Sequence, residues 1–119
     1  MSYHQKGSCA MANKITYPID KELTREQVYR HTVARGTSLK KLDDGTEIMV
    51  KEIVAFENED GQKIISLLDS DNRHYVSNSS IFREELAKII DIFGDTDLRL
   101  IIRKDVTKSG RTYVTCELG

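Results

Sequence analysis

A small, mainly β domain with the element order β-β-β-α-β-β is predicted by three features of this 119-residue sequence. Two stretches rich in β-branched residues, 46–57 and 62–69, flank the acidic turn Asn58-Glu59-Asp60-Gly61 and read as a hairpin. One strong helix pattern follows, with Phe82, Leu86, Ile89, Ile90 and Phe93 on a single stripe. Two more strand patterns, 98–105 and 111–118, then flank a Gly-containing loop at 106–110. A chain of this length can bury about two-thirds of its unfolded surface in one core without metal or disulfide.

Taken in order, the elements are these. Residues 1–12 have no apolar run, and Met11-Ala12 reads as an alternative start, so this stretch is expected to be a flexible leader. Residues 13–35 form an N-terminal extension. Within it, Thr24-Arg25-Glu26-Gln27 is a capping box, predicting a short helix from Thr24 to Ala34 ended by Gly36. Its apolar face, Val28, Tyr29 and Val33, is thin, which places it on the outside of the domain. In the first strand, Ile48 and Val50 give way to Ile53 with Lys51 and Glu52 between them, a break in alternation that predicts a bulge in a long, bent strand. Asp71-Asn72 turns into a third strand, Arg73 to Ser77. Ser79 or Ser80 caps the main helix, and Gly94 ends it. Three strands, a helix and two strands, the first of them long and bent, is the order of a five-stranded OB-fold barrel, assigned to residues 36–119. The helix stripe would then cover the barrel bottom.

The net charge of −1 is unevenly spread: +5 over residues 1–42, −9 over 43–97 and +3 over 98–119. Basic ends around an acidic middle can form a basic surface on a nearly neutral protein. Cys9 and Cys116 are too few and too far apart in sequence for a disulfide framework, so a reducing cytoplasm is the expected location. Neither cysteine has metal-ligand spacing with His4, His31 or His74, and no cofactor is expected. Asp69-Ser70-Asp71 opens like a calcium loop, but Arg73 and Asn78 stand where ligands belong, and it reads as a turn. Lys108-Ser109-Gly110-Arg111 has no following helix to present amides to a phosphate. With no convergent nucleophile, base or metal set, the chain does not read as an enzyme.

Alternation supplies a better site. Leu98, Leu100 and Ile102 share one face of the fourth strand, leaving Arg99, Ile101 and Arg103 on the other. In the fifth strand Val114, Cys116 and Leu118 face in, and Arg111, Tyr113 and Thr115 face out. Arg73 and Tyr75 share a face of the third. Cations interleaved with aromatic rings suit a nucleic-acid single strand, because cations follow phosphates and rings stack on any base. Lys51 and Lys108 extend the basic set, and Phe56 ends the first strand.

Several short signatures strengthen this direction. The stretch Gly36-Thr-Ser-Leu-Lys-Lys-Leu-Asp-Asp-Gly-Thr46, the strand end Ile53-Val-Ala-Phe56, the Tyr75 strand and the closing Thr107-Lys-Ser-Gly-Arg-Thr-Tyr113 resemble the single-stranded DNA-binding proteins of protein-primed tailed bacteriophages. The resemblance covers residues 36–119. It implies an OB fold and sequence-independent coating of single-stranded DNA during phage replication, in the host cytoplasm, with replication proteins as further partners. It also implies base stacking at Phe56, where relatives carry Tyr, and at Tyr75. The turn after the first strand is short and acidic here and lacks the relatives' additional Tyr, and residues 1–35 have no counterpart. The expected interface is thus Phe56, Tyr75 and Tyr113 for bases and Lys51, Arg73, Arg99, Arg103, Lys108 and Arg111 for phosphates. Two other functions fit the same domain: an OB module that grips a host or replication protein, and a binder of single-stranded RNA.

Overall fold

The computed structural model describes residues 14–18, 22–95 and 97–119. Its elements are β1 (Lys14–Tyr17), α1 (Arg25–Thr32), β2 (Thr37–Ser38), a 3-10 turn (Leu39–Lys41), β3 (Glu47–Glu57), β4 (Lys63–Asp69), β5 (His74–Ser77), α2 (Ser80–Phe93), β6 (Leu98–Val106) and β7 (Thr112–Leu118). The leader expected at residues 1–12 lies outside the described residues.

The strands form one curled, mixed sheet in the order β2-β5-β4-β3-β6-β7, with β1 also paired to β3. All pairs are antiparallel except β2 with β5. β3 is long enough to serve three partners, because its first half pairs with β6 and its second half with β1, while β4 runs along the other edge. The bulge falls where the broken alternation placed it: Val50 faces Asp69 and Glu52 faces Leu68, leaving Lys51 as the extra residue.

Beyond the bulge, β3 is buried on both faces. Ile53 points into the main core with Leu67, Phe82, Leu86 and Leu100, whereas Val54 and Phe56 point the other way, into a second cluster with Leu23 and Val28. A strand covered on both sides loses its polar alternation, which is why residues 53–56 read as a continuous apolar run. α1 supplies the outer cover. Its capping box is complete: the Thr24 hydroxyl accepts from the Gln27 amide at 3.1 Å, and the Gln27 side chain accepts from the Thr24 amide at 2.8 Å. α2 supplies the inner cover, capped by the Ser79 hydroxyl and ended at Gly94, whose φ of 83° suits glycine.

The structure departs from the expected closed five-stranded barrel at several points. Seven strands are present among the described residues, the two extra ones, β1 and β2, lying in the N-terminal third. No hydrogen-bonded pair joins β5 to β7 there, because β2 takes the free edge of β5 in parallel register, Thr37 against Tyr75. The sheet is therefore a half-barrel, open on that side, with the 3-10 turn touching both β5 and β7. α1 ends at Thr32 with Val33 as its cap, so Gly36 does not terminate it. Gly36 allows close approach instead, since a Cβ there would stand 2.9 Å from His74 Nδ1 and 3.0 Å from Val76 Cγ1. The α2 stripe is buried at Phe82 and Leu86, but Phe93 is 57% exposed because the helix end runs past the sheet. Leu118, expected to face in, is 39% exposed at the end of β7.

Candidate nucleic-acid interface

The nine residues expected to bind nucleic acid do not form one surface. Phe56 is 5% exposed, its ring packed in the second cluster beneath the N-terminal segment, so it offers no face to a base. Tyr75 pairs with Leu67, which is fully buried, and its half-buried ring packs against the main core. It therefore lies on the inner face of β5, while Tyr113, next to buried Val114, lies on the outer face of β7. The two tyrosines are on opposite faces of the sheet.

The cations divide by electrostatic partner. Arg103 is held twice by Glu117, through Nε at 2.8 Å and Nη2 at 2.7 Å, and approaches Asp44 at 3.6 Å. Glu117 is the main cause of its raised pKa. Arg99 pairs with Glu47 on the neighbouring strand. These two guanidiniums must leave carboxylates before they can meet phosphates. Lys51 donates to Asn72 Oδ1 at 2.8 Å, beside exposed Arg73 in the β4–β5 turn. Lys108 and Arg111 are exposed in the β6–β7 loop, with no acidic partner among the described residues. Tyr113 stands beside this loop, its hydroxyl pKa raised by desolvation and by Asp105, the residue opposite in the ladder. Lys51, Arg73 and Arg99 thus lie toward the Leu98 end of β6 and Lys108 and Arg111 beyond its Val106 end, about 26 Å apart at about 3.3 Å per residue, with Arg103 between them.

Asp69 confirms the turn reading of residues 69–73: its Oδ1 accepts from the amides of Asp71 at 2.9 Å and Arg73 at 2.7 Å. Cys116 is buried in the core, where desolvation pushes its thiol pKa up to about 12. Among the described residues, no group of three His, Cys, Asp or Glu side chains is placed to hold a metal ion.

A buried polar chain links α1 to the sheet, and pattern reasoning did not find it. His31 is 1% exposed, with Nδ1 2.7 Å from Ser66 Oγ and Nε2 2.9 Å from Glu52 Oε1. Ser66 Oγ also lies 2.6 Å from His74 Nε2. One set of protons satisfies the whole chain: His74 donates to Ser66, Ser66 to His31, and His31 to the Glu52 carboxylate. Both imidazoles are then neutral. Burial holds the His31 pKa below its ordinary value although Glu52 pulls the other way, and burial followed by the His31 charge does the same for His74. His74 Nδ1 is then the unprotonated nitrogen, buried without a hydrogen bond, and the backbone of Arg35 and Ala34 raises the His74 pKa only in part against its burial. Serine, histidine and glutamate in sequence resemble a hydrolytic triad, but Ser66 is fully buried and no substrate reaches its hydroxyl. The chain fastens α1 over β4 and β5. Its one sequence signal is Ser66, a polar residue inside the apolar run 64–68.

A family described as phage single-stranded DNA-binding protein matches residues 11–119, reaching back well beyond the region of resemblance that begins at Gly36. No curated protein and no solved structure matches the chain.

Proposed function

Because the chain belongs to the phage single-stranded DNA-binding protein family, we propose that it coats single-stranded DNA without regard to sequence, protecting strands exposed during phage genome replication, and performs no catalytic step. The match over residues 11–119 carries this reading. The connectivity supports an OB-type domain: β3, β4, β5, α2, β6 and β7 follow the OB order, with β2 and the 3-10 turn standing in the gap between the third and fifth strands.

OB domains bind oligonucleotides through the face of their second and third strands and the loops after the first and fourth. Here those loops are residues 58–62 and 107–111. The second of them carries Lys108 and Arg111, the cations free to meet phosphates, with Tyr113 at its base. Arg99 and Arg103 contribute less, because phosphate must compete with Glu47 and Glu117.

The salt dependence of binding tests this assignment. Each neutralised phosphate of a single strand contributes about 0.7 to the slope of log K against log salt. Replacing both Lys108 and Arg111 by Ala is expected to lower that slope by about 1.4, and Arg103→Ala to change it by less than half as much. An unchanged slope in the loop variant, or a larger change with Arg103→Ala, would move the phosphate contacts elsewhere.

A further inference from the structure

Three depressions share lining residues and pass around the β4–β5 side of the sheet, from its outer face at Ile64 to its inner face at Ile65. The first, about 250 Å³, lies over Ile64 and Val76 and is bordered by Ser38, Lys40, Gln62 and Asn78. The second, about 260 Å³, shares Gln62 and Asn78 with the first and adds Lys63 and Arg83. The third shares Arg83 with the second and is an apolar groove of about 300 Å³ between α2 and the inner face of the sheet. Tyr17, Ala55, Ile65, Ala87 and Ile90 are among its walls.

Among the lining residues the charges are of one sign until the far end, with Glu57 opposite Lys63 in the β3–β4 ladder outside the lining. Lys40, Lys63 and Arg83 have no acidic partner among the described residues, and Asp91, at the apolar groove, is the one acid among the lining residues. Gln62, Asn78 and Ser38 add amide and hydroxyl groups to the lining. Arg83 stands at the junction, bordering both the polar depression and the apolar groove. Such a sequence of surfaces matches a polyanion that also carries flat apolar groups. Phosphates would follow the cations, and an unstacked base would leave water for the groove.

We infer that the groove between α2 and the sheet takes one base of a bound DNA single strand, with Arg83 and Lys63 holding the adjoining phosphates and Lys40 continuing the track. This rests on the single-strand-binding reading and adds to it a second set of residues, other than those of the β6–β7 loop. The base enters against Tyr17, whose hydroxyl is fixed by a 2.5 Å hydrogen bond to Asp95. Ala87, exposed on α2, keeps the mouth open.

Full-length protein titrated with fluorescent oligothymidine over a range of salt tests the inference with two variants. Lys63→Ala/Arg83→Ala removes the cations, and Ala87→Phe fills the groove from an exposed helix position that thermal melting will show to be folded. The double variant is expected to lower the salt slope by about 1.4. Ala87→Phe is expected to weaken binding about tenfold with the slope unchanged. If the wild type binds the strand and both variants bind it equally well, the groove is not a DNA site, and the single-strand reading stands without it. If the wild type does not bind the strand, both fall.

Discussion

Replacing Phe82 by Ala is expected to destabilise the protein by about 3–5 kcal/mol, the range for deleting a fully buried aromatic ring. Phe82 is 0% exposed and stands where α2 meets the core formed by β3, β6 and β7. Its helix position is fixed from both sides, since its amide donates to the Ser79 hydroxyl at 3.2 Å and that hydroxyl donates to the Val114 carbonyl at 3.0 Å. β7 is held on one edge by its ladder with β6 and, having no partner strand on the other among the described residues, is covered there by α2. Urea unfolding measures the loss. A cost below about 1 kcal/mol would mean that the core is not organised around this residue.

His31→Ala is expected to cost about 2–4 kcal/mol, part from the cavity and part from the polar groups it strands. Glu52 would keep only its 3.2 Å hydrogen bond from Gln27, and Ser66 only His74. The loss should be concentrated in α1, where faster amide hydrogen exchange would locate it. The same chain makes stability depend on pH. Both histidines have folded pKa values below 6.5, so the unfolded chain binds more protons in the range just under that value. Stability is complete above about pH 6.5 and falls as pH drops through the lowered values. Above about pH 5 the carboxylates contribute little to this change. Urea midpoints should therefore fall between about pH 7 and 5 in the wild type, and fall less in the His31 variant. A midpoint independent of pH in that interval would contradict neutral, buried imidazoles.

What could be read from the sequence was local. The capping box at Thr24, the bulge at Lys51, the Ser79 cap and the Gly94 stop each depend on residues within a few positions of one another, and each appears where it was expected. β1 and β2 were missed because strands of four and two residues carry too little pattern, and their partners are 35 or more residues away. The site suffered more. Phe56 was assigned to stacking from its likeness to relatives, yet the unbroken run Ile53-Val-Ala-Phe56 already signalled burial on both faces. Arg103 looked free because alternation shows which way a side chain points but not which acid stands beside it, and Glu117 reaches it only through the β6–β7 register. Tyr75 was expected to face outward, but alternation leaves open which face is inside, and the curl of the sheet turns Tyr75 toward the core. Lys63 and Arg83 were passed over because each is an ordinary charge at the start of its element, and only folding brings them to one groove.

A protein that coats displaced strands must prefer single-stranded DNA to duplex, holding it through phosphates and stacked bases. This preference is tested most directly by titrating the purified chain with fluorescent oligothymidine and with a duplex of matched length, at about 50 and about 200 mM salt. Tighter binding of the single strand is expected at both salts, with affinity for it falling as salt rises. Equal affinity for the duplex, or no binding to either, would contradict that preference.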